Sequence, residues 1–388
     1  MGSWKDIWLL NLALFMYFLG ISVLSPVVPP FLVSLHADPF LVGLVTGLTS
    51  ALSVLSKPIG GLIGDRGYRF HALMGGTLFG ALSGVLYVVS ALTANVYLFA
   101  FARAFHGFSM GIFFPSSLAA AVDLAPVGRM GETLAWRGMM FSVGNIVGPV
   151  LGGYSSDVTG FAGAFALTAL FSLTGFAFAF WAWREAPPVV AEEHHSEGSY
   201  RELLKPTFIA VSLTLFFFSV SYAGVTTFLP AYYKSISLKQ SLFGYYMMVI
   251  GTFSLVTRLI GGKSADRFGP LIPTVIGLLS VLAGYISLQL SLLPPGSYIS
   301  AALIGTGFGL SVPAMQLMAL GDLPQRIRTM GSSIYTMFLD LGTLAGQISL
   351  GYVAQLRGYT GVFPVLPLIL GVSFITLFAP YLRRSGDG

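Results

Sequence analysis

One short phrase occurs twice in this chain. Lys57-Pro-Ile-Gly-Gly-Leu-Ile-Gly-Asp-Arg66 and Arg258-Leu-Ile-Gly-Gly-Lys-Ser-Ala-Asp-Arg267 stand 201 positions apart in 388 residues. In both, a cation precedes Gly-Gly and then Asp-Arg, at the end of a long apolar segment. The correspondence runs further. Gly43 answers Gly244; Gly107, Gly111 and Pro115 answer Gly305, Gly309 and Pro313; Met130-Gly131 answers Met330-Gly331. A near-constant offset kept in order implies two copies of one fold. In a membrane chain, two such copies are expected to be related by an axis along the membrane normal, with a cavity between them at mid-depth.

The membrane follows from composition. Hydrophobic residues make up 55% of the chain and charged residues only 9%, against roughly 25% charged in soluble domains. So few charges do not cover a soluble core, and lipid is the expected solvent. The 32 Phe, 17 Tyr and 47 Gly suit interfacial anchoring and close helix approach. There is no Cys, which removes disulfides, thiolates and Cys-ligated metals. The net charge of +5 is dispersed between apolar segments, so it forms no nucleic-acid footprint. The apolar run from Ile7 is too long for a signal peptide and more spans follow it.

Spanning hydrocarbon takes about 20 helical residues. Twelve segments qualify: 6–30, 40–63, 72–93, 95–121, 130–154, 161–183, 206–231, 240–263, 271–292, 296–319, 330–353 and 361–382. The expected fold is all-α: twelve transmembrane helices in two pseudo-symmetric six-helix bundles. The first bundle covers 1–183 and the second 206–388, joined by a polar linker over 184–205. Placing the N-terminus in the cytoplasm leaves thirteen loop cations inside and three, Lys234, Lys239 and Arg357, outside. The positive-inside rule therefore predicts cytoplasmic termini and a cytoplasmic linker.

Charges inside the spans are the candidates for chemistry. Arg103 lies about 12 Å below the outer surface at 1.5 Å per residue, where a charge needs water, a partner or carbonyls. It reads either as a packing lock satisfied by backbone carbonyls or as a cavity residue that holds an anion or tunes a proton site. His106 shares its helix face and has an ordinary pKa suited to proton exchange; the plainer reading is a neutral histidine bonded between helices. Asp340 lies roughly 15 Å deep in span eleven. It reads as a proton-coupling carboxylate, a substrate-cation site or a helix-to-helix hydrogen bond. Arg137 and Glu132 read as an interfacial pair, and Lys57 and Arg258 as snorkelling cations. Asp65 and Asp266 end apolar helices beside Arg66 and Arg267. They read either as solvated loop charges or as a latch in which a carboxylate accepts N–H bonds at a helix start, near Gly331. Asp123 and Asp322 can complete charge clusters there with Arg66, Arg69 and Arg267.

These residues resemble the major facilitator superfamily over essentially the whole chain, and within it the twelve-helix drug–proton antiporter group. Gly61-Leu-Ile-Gly-Asp65-Arg66-Gly-Tyr-Arg69 is similar to the family's first signature, with Tyr68 where Gly is usual, so the tight turn is expected to differ. Gly262-Lys-Ser-Ala-Asp266-Arg267-Phe-Gly269 is the second copy. Gly20 to Pro29 in span one resembles the exporter pattern, and Arg103-Ala-Phe-His106-Gly107 the buried-arginine motif, with His106 where Gln is common. Gly144, Gly148, Pro149, Gly152 and Gly153 in span five resemble the antiporter signature, which is the most discriminating match.

The resemblance implies a transporter with alternating access. Asp65, Arg66, Arg69, Asp123, Asp266 and Arg267 would close the cytoplasmic side. Arg103, Tyr17, Ser22, Tyr222, Thr226, Met315 and Gln316 would line the cavity. Span one carries no Asp or Glu between Ile7 and Pro30, so proton coupling would fall to Asp340, His106 or Arg103. The expected activity is export of a small amphipathic or apolar compound in exchange for protons. The alternative is an organic-anion or sugar permease without antiport. The expected partners are the solute, protons and the bilayer of the plasma membrane, with no nucleic acid and with the monomer as the working unit. No cofactor, metal site or enzyme motif is visible. The phosphate-binding Gly-x-x-x-x-Gly-Lys-Ser/Thr loop is missing, and His194-His195 reads as linker.

Overall fold

In the computed structural model of the chain, the described residues are 4–126, 129–185, 203–321, 323 and 325–384. Among them there is helix and turn but no strand. The helices are α1 (Trp4–Val23), α2 (Val28–Ser34), α3 (Pro39–Ile63), α4 (Arg69–Thr93), α5 (Val96–Leu124), α6 (Met130–Glu185), α7 (Pro206–Ser235), α8 (Ser241–Phe268), α9 (Leu271–Leu290), α10 (Ser297–Leu320), α11 (Gln325–Arg357) and α12 (Leu366–Arg384). Among the described residues, ten helical segments are long and apolar enough to cross a membrane, as a multi-pass membrane protein requires.

All twelve predicted spans fall on helix, but not one helix each. Span one is α1 and α2, broken by a turn around Ser25-Pro26. Spans five and six are a single 56-residue run, α6, which folds back at Gly160 with φ 75° and ψ 179°. That backbone region is open essentially to glycine alone, so one residue does the work the sequence assigned to a loop. Span eleven, α11, falls outside the ten apolar segments; Asp340, Gln347 and its hydroxyl side chains dilute it. The linker predicted over 184–205 lies mostly outside the described residues.

The helix boundaries have local causes. Asn95 opens α5, its side-chain oxygen accepting from the N–H of Tyr97 and of Leu98 at 3.0 Å, which satisfies two of the donors a helix start leaves unpaired. Proline opens α3 at Pro39 and α7 at Pro206, where its missing N–H costs nothing.

The chain forms two compact units. The first contains Met1–Asp38, Leu44–Glu193 and Tyr233–Met248; the second contains Pro39–Gly43, His194–Tyr232 and Val249–Gly388. Both boundaries within the spans cut helices: the first turn of α3 clusters with the second unit, and the first two turns of α8 cluster with the first. In the first unit α1 packs chiefly on α6, and α4 lies against α5 and α6; in the second, α9 lies against α10. A core of Ile7, Leu10, Leu14, Tyr17, Phe18, Leu73, Phe113 and Leu124 fills the first unit.

The outer surface has the apolar character expected in lipid. Leu92, Tyr97, Leu259, Leu290 and Leu368 are exposed, while many Ser and Thr are buried beside the apolar core. Many buried hydroxyls return to their own helix, as Thr77 does to the Met74 carbonyl at 2.8 Å and Ser116 to that of Ile112 at 2.9 Å, which satisfies them without a partner helix. The sequence repeat is repeated in the packing. A Cβ on Gly60 would stand 2.7 Å from the Gly111 carbonyl oxygen, and one on Gly261 would stand 2.9 Å from that of Gly309. The same two glycine backbones approach in each unit, as small-residue membrane packing allows.

Candidate functional site

The buried charge in α5 is held by α3. The Arg103 Nη2 donates to the Thr46 carbonyl at 3.0 Å, and the Thr49 hydroxyl donates to the Arg103 carbonyl at 2.9 Å. The Arg103 Nε has no hydrogen-bond partner although it is buried. Carbonyl satisfaction is therefore partial, and the guanidinium keeps one donor uncommitted. His106, one turn on, is fully enclosed. Its Nδ1 lies 3.2 Å from the Tyr87 hydroxyl of α4, and its Nε2 is unpartnered. Arg103, His106 and Tyr87 thus form one buried polar cluster in the first unit, ringed by Phe99 and Phe165. Asp340, the third coupling candidate, is half-buried on α11 in the second unit.

The predicted cavity residues divide by environment. Tyr17 is wholly buried against Phe113, with its hydroxyl 2.5 Å from that of Ser109, which donates to the Gly76 carbonyl at 2.7 Å. Ser22 is buried as well and donates to the Asn145 side-chain oxygen at 2.7 Å. Tyr222 and Thr226 lie one turn apart on α7, both half-buried; the Thr226 hydroxyl donates to the Tyr222 carbonyl at 3.3 Å, and the Tyr222 ring sits 4.8 Å from that of Phe308. Met315 is enclosed while its neighbour Gln316 is exposed, so adjacent positions on α10 face different surroundings.

Of the predicted latch residues, Arg69 and Asp123 meet in the first unit. Arg69 pairs with Asp123, and its Nε donates to the Gly64 carbonyl at 3.2 Å. Arg66 is exposed. Asp65 sits in the π-turn Gly64–Tyr68, and its side chain lies outside the described residues, as does Asp322. Asp266 and Arg267 are exposed at the end of α8, with the Arg267 guanidinium 5.2 Å from the centre of the Phe268 ring. The two loop copies turn differently, as Tyr68 in the glycine place led one to expect. The left-handed residue is Gly67 (φ 85°) in the first and Gly269 (φ 79°) in the second, one position later in the repeat.

The expected pair of Arg137 and Glu132 does not form. The Arg137 Nη2 donates to Ser117 at 3.0 Å, and Glu132 faces Arg129 at 3.8 Å. A five-residue spacing puts the two side chains on different faces of α6, whereas three- and four-residue spacings bring partners together.

The glycine motif of α6 has two faces. Gly144, Gly148 and Gly152 meet α1: a Cβ on Gly144 would stand 3.0 Å from that of Phe18, and one on Gly148 would stand 2.5 Å from that of Ser22. Pro149 and Gly153 meet the start of α8. A Cβ on Gly153 would stand 2.7 Å from the Gln240 carbonyl oxygen, and one on Gly244 would stand 2.5 Å from that of Pro149. One turn further, Asp157 accepts from the N–H of Gln240 at 2.7 Å and of Ser241 at 3.0 Å. Neither Asp157 nor Tyr87 was singled out from sequence. The four-residue spacing Pro149, Gly153, Asp157 was the available signal for the first; nothing in the sequence pointed to the second.

Three comparisons bear on this arrangement. The sequence profile described as Major Facilitator Superfamily matches residues 10–347. An uncharacterized MFS-type transporter of Methanocaldococcus jannaschii is 21% identical over 381 residues, covering 95% of this chain and 97% of its own. Among solved structures, a D-xylose–proton symporter superposes with TM-score 0.76 at 16% identity, covering 97% of each chain. A human organic anion transporter superposes with TM-score 0.70 at 17% identity, covering 96% of this chain and 99% of its own. At these identities the structural likenesses speak for the fold.

Proposed function

We propose, from the premise that this chain belongs to the Major Facilitator Superfamily, that it exports small amphipathic or apolar compounds by alternating access in exchange for protons. Membership makes it a multi-pass membrane transporter rather than an enzyme. The finer reading is ours. The observation that carries it is the two-faced packing of Gly144, Gly148, Pro149, Gly152 and Gly153, whose spacing resembles the antiporter signature and whose small side chains let α6 approach α1 and the start of α8 closely. Close packing of that kind excludes a continuous water path along the seam. In this reading residues 1–183 and 206–388 are the two moving halves, the termini and linker are cytoplasmic, the membrane is the plasma membrane, and the monomer transports.

Protons drive such a cycle only if they bind one conformation better than the other. Asp340, in the second unit, and the Arg103, His106 and Tyr87 cluster, in the first, are the groups assigned to that task. Tyr222, Thr226 and Gln316 remain the assigned contacts for solute. Tyr17, Ser22 and Met315 are buried in this structure, and in this reading they reach solute only in another conformation.

The test is proton flux in proteoliposomes, read by an internal pH dye while apolar cations, neutral drugs, sugars and organic anions are added in turn. A solute-dependent pH change lost in Asp340→Asn supports coupled antiport through span eleven. Solute flux without a pH change sinks antiport. A second reading, an organic-anion permease, draws on one observation: the buried Arg103 Nε has a donor to spare. Organic-anion flux abolished by Arg103→Gln, with no pH change in the parent protein, would establish it.

A further inference from the structure

Two seams of this fold are built on the same plan, and they differ in one charge. On α6, Pro149, Gly153 and Asp157 stand four residues apart; on α11, Gln347, Gly351 and Gln355 stand four apart, each 198 positions later. The α6 series meets the start of α8, where Gly244 packs on the Pro149 carbonyl and Gly153 on the Gln240 carbonyl. The α11 series meets the start of α3 in the same way, where Gly43 packs on the Gln347 carbonyl and Gly351 on the backbone of Pro39, Phe40 and Gly43. Gly43 and Gly244, Phe40 and Ser241, and Pro39 and Gln240 are each 201 positions apart. In both seams a residue of one sequence repeat closes on a helix start of the other.

The last turn of each series reaches the helix start itself. Asp157 accepts from two backbone N–H groups, of Gln240 at 2.7 Å and Ser241 at 3.0 Å. Gln355, its counterpart, accepts from one, of Phe40 at 3.5 Å through Oε1. Hydrogen bonds to an ionised acceptor are roughly twice as strong as neutral ones, and a helix start favours negative charge. The Asp157 contact is therefore the strong one of the pair, and it alone can be discharged by a proton, since a glutamine amide does not titrate. Asp157 is exposed, so bulk protons reach it. The other titratable or charged groups on the elements at this end are Tyr154 on α6, Tyr232, Tyr233 and Lys234 ending α7 and Lys239 preceding α8, with His36, Asp38 and Arg357 on the same predicted outer face. The Lys234 ammonium sits 5.3 Å from the centre of the Phe161 ring, and neither lysine pairs with Asp157 among the described residues.

We propose that Asp157 and Gln355 are unequal staples on the predicted outer ends of these seams. The Asp157 staple opens when that face is acidified, and the Gln355 staple is insensitive to pH. The proposal rests on the alternating-access reading for its use, since release of the α6–α8 seam would bias the carrier toward its outward-open state. Its contacts stand without that reading.

The chain has no cysteine, so spin labels can be placed singly. One pair, Val158→Cys with Lys239→Cys, spans the α6–α8 seam; a second, Leu356→Cys with Leu41→Cys, spans the α11–α3 seam. Distances would be measured by electron paramagnetic resonance in nanodiscs without solute, at neutral pH and on stepwise acidification. The expected result is a shift to longer distance across the first seam on acidification and none across the second. Asp157→Asn should show the longer distance at every pH, and Gln355→Glu should give the second seam a pH response of its own. Unchanged distances across the first seam, or a pH response that survives in Asp157→Asn, would overturn the proposal. Because no solute is present, failure here leaves the transport reading to its own flux experiment, and failure of flux leaves these distances as they are.

Discussion

The Tyr87 hydroxyl and the His106 Nδ1 lie 3.2 Å apart, both side chains sealed inside the first unit. With Nδ1 engaged by Tyr87, the imidazole is oriented by α4 rather than by its own helix. Tyr87→Phe leaves a buried ring nitrogen unpaired, which costs about 1–3 kcal/mol. A lower thermal-shift midpoint in detergent is expected, and His106→Gln, with an amide in place of the imidazole, should fall less far than His106→Leu. Equal midpoints for Tyr87→Phe and the parent protein would show that the contact contributes nothing.

Arg103 should not tolerate lysine. Lysine can still reach the Thr46 carbonyl, but it is a point charge and lacks the fork that gives Arg103 its spare donor. Arg103→Lys is expected to fold and reach the membrane while losing most solute flux; Arg103→Leu should lose flux and keep stability, because the buried charge leaves with its desolvation cost. Flux in proteoliposomes alongside size-exclusion profiles separates the two effects. Full flux in Arg103→Lys would reduce the residue to a packing element.

Gly153 has no space for a methyl group. The added carbon would stand 2.7 Å from both the Gln240 carbonyl oxygen and the Ser241 Cα, and both are backbone. Overpacking of this kind costs typically about 1–3 kcal/mol. Gly153→Ala should therefore part α6 from the start of α8, detected as a longer Val158 to Lys239 label distance. Gly138, which has nothing near its missing Cβ, is the control, and Gly138→Ala should leave that distance unchanged.

Gly160 is constrained by its backbone and not by its neighbours. No atom lies within 4 Å of a Cβ built there, yet φ is +75°. Gly160→Ala should cost about 1–3 kcal/mol, seen as a reduced thermal midpoint with transport retained at low temperature. A midpoint equal to that of the parent protein would mean that the turn adopts another geometry.

Much of the fold was legible because lipid writes plainly: spans need length and apolarity, and the repeat supplied its own cross-check. Gly107, Gly111 and Pro115 matched Gly305, Gly309 and Pro313 in sequence, and both sets of glycines pack the same way. Less was legible where chemistry depends on a second helix. Tyr87 meets His106 across 19 residues of chain and a turn, and no local spacing announces it. Arg137 and Glu132 looked paired because they are close in sequence, but helical geometry sets them apart. Asp157 continued a spacing already recognised, and was missed because the motif was read as ending with Gly153. The α6 hairpin was expected as two spans, 130–154 and 161–183; what no composition announces is that helix continues through the polar residues between them to a single glycine.

That hairpin also bears on how the chain enters the membrane. Spans five and six are joined through Tyr154-Ser-Ser-Asp-Val-Thr-Gly160, a few polar residues that end in the reversal at Gly160. A membrane-inserting machine therefore has only this short segment, with one charge at Asp157, to carry across at this point. So short a connection brings the second arm to lipid directly behind the first. A chain truncated just after Gly160 would present span five without its companion, and cellular quality control would meet it as an unfinished hairpin.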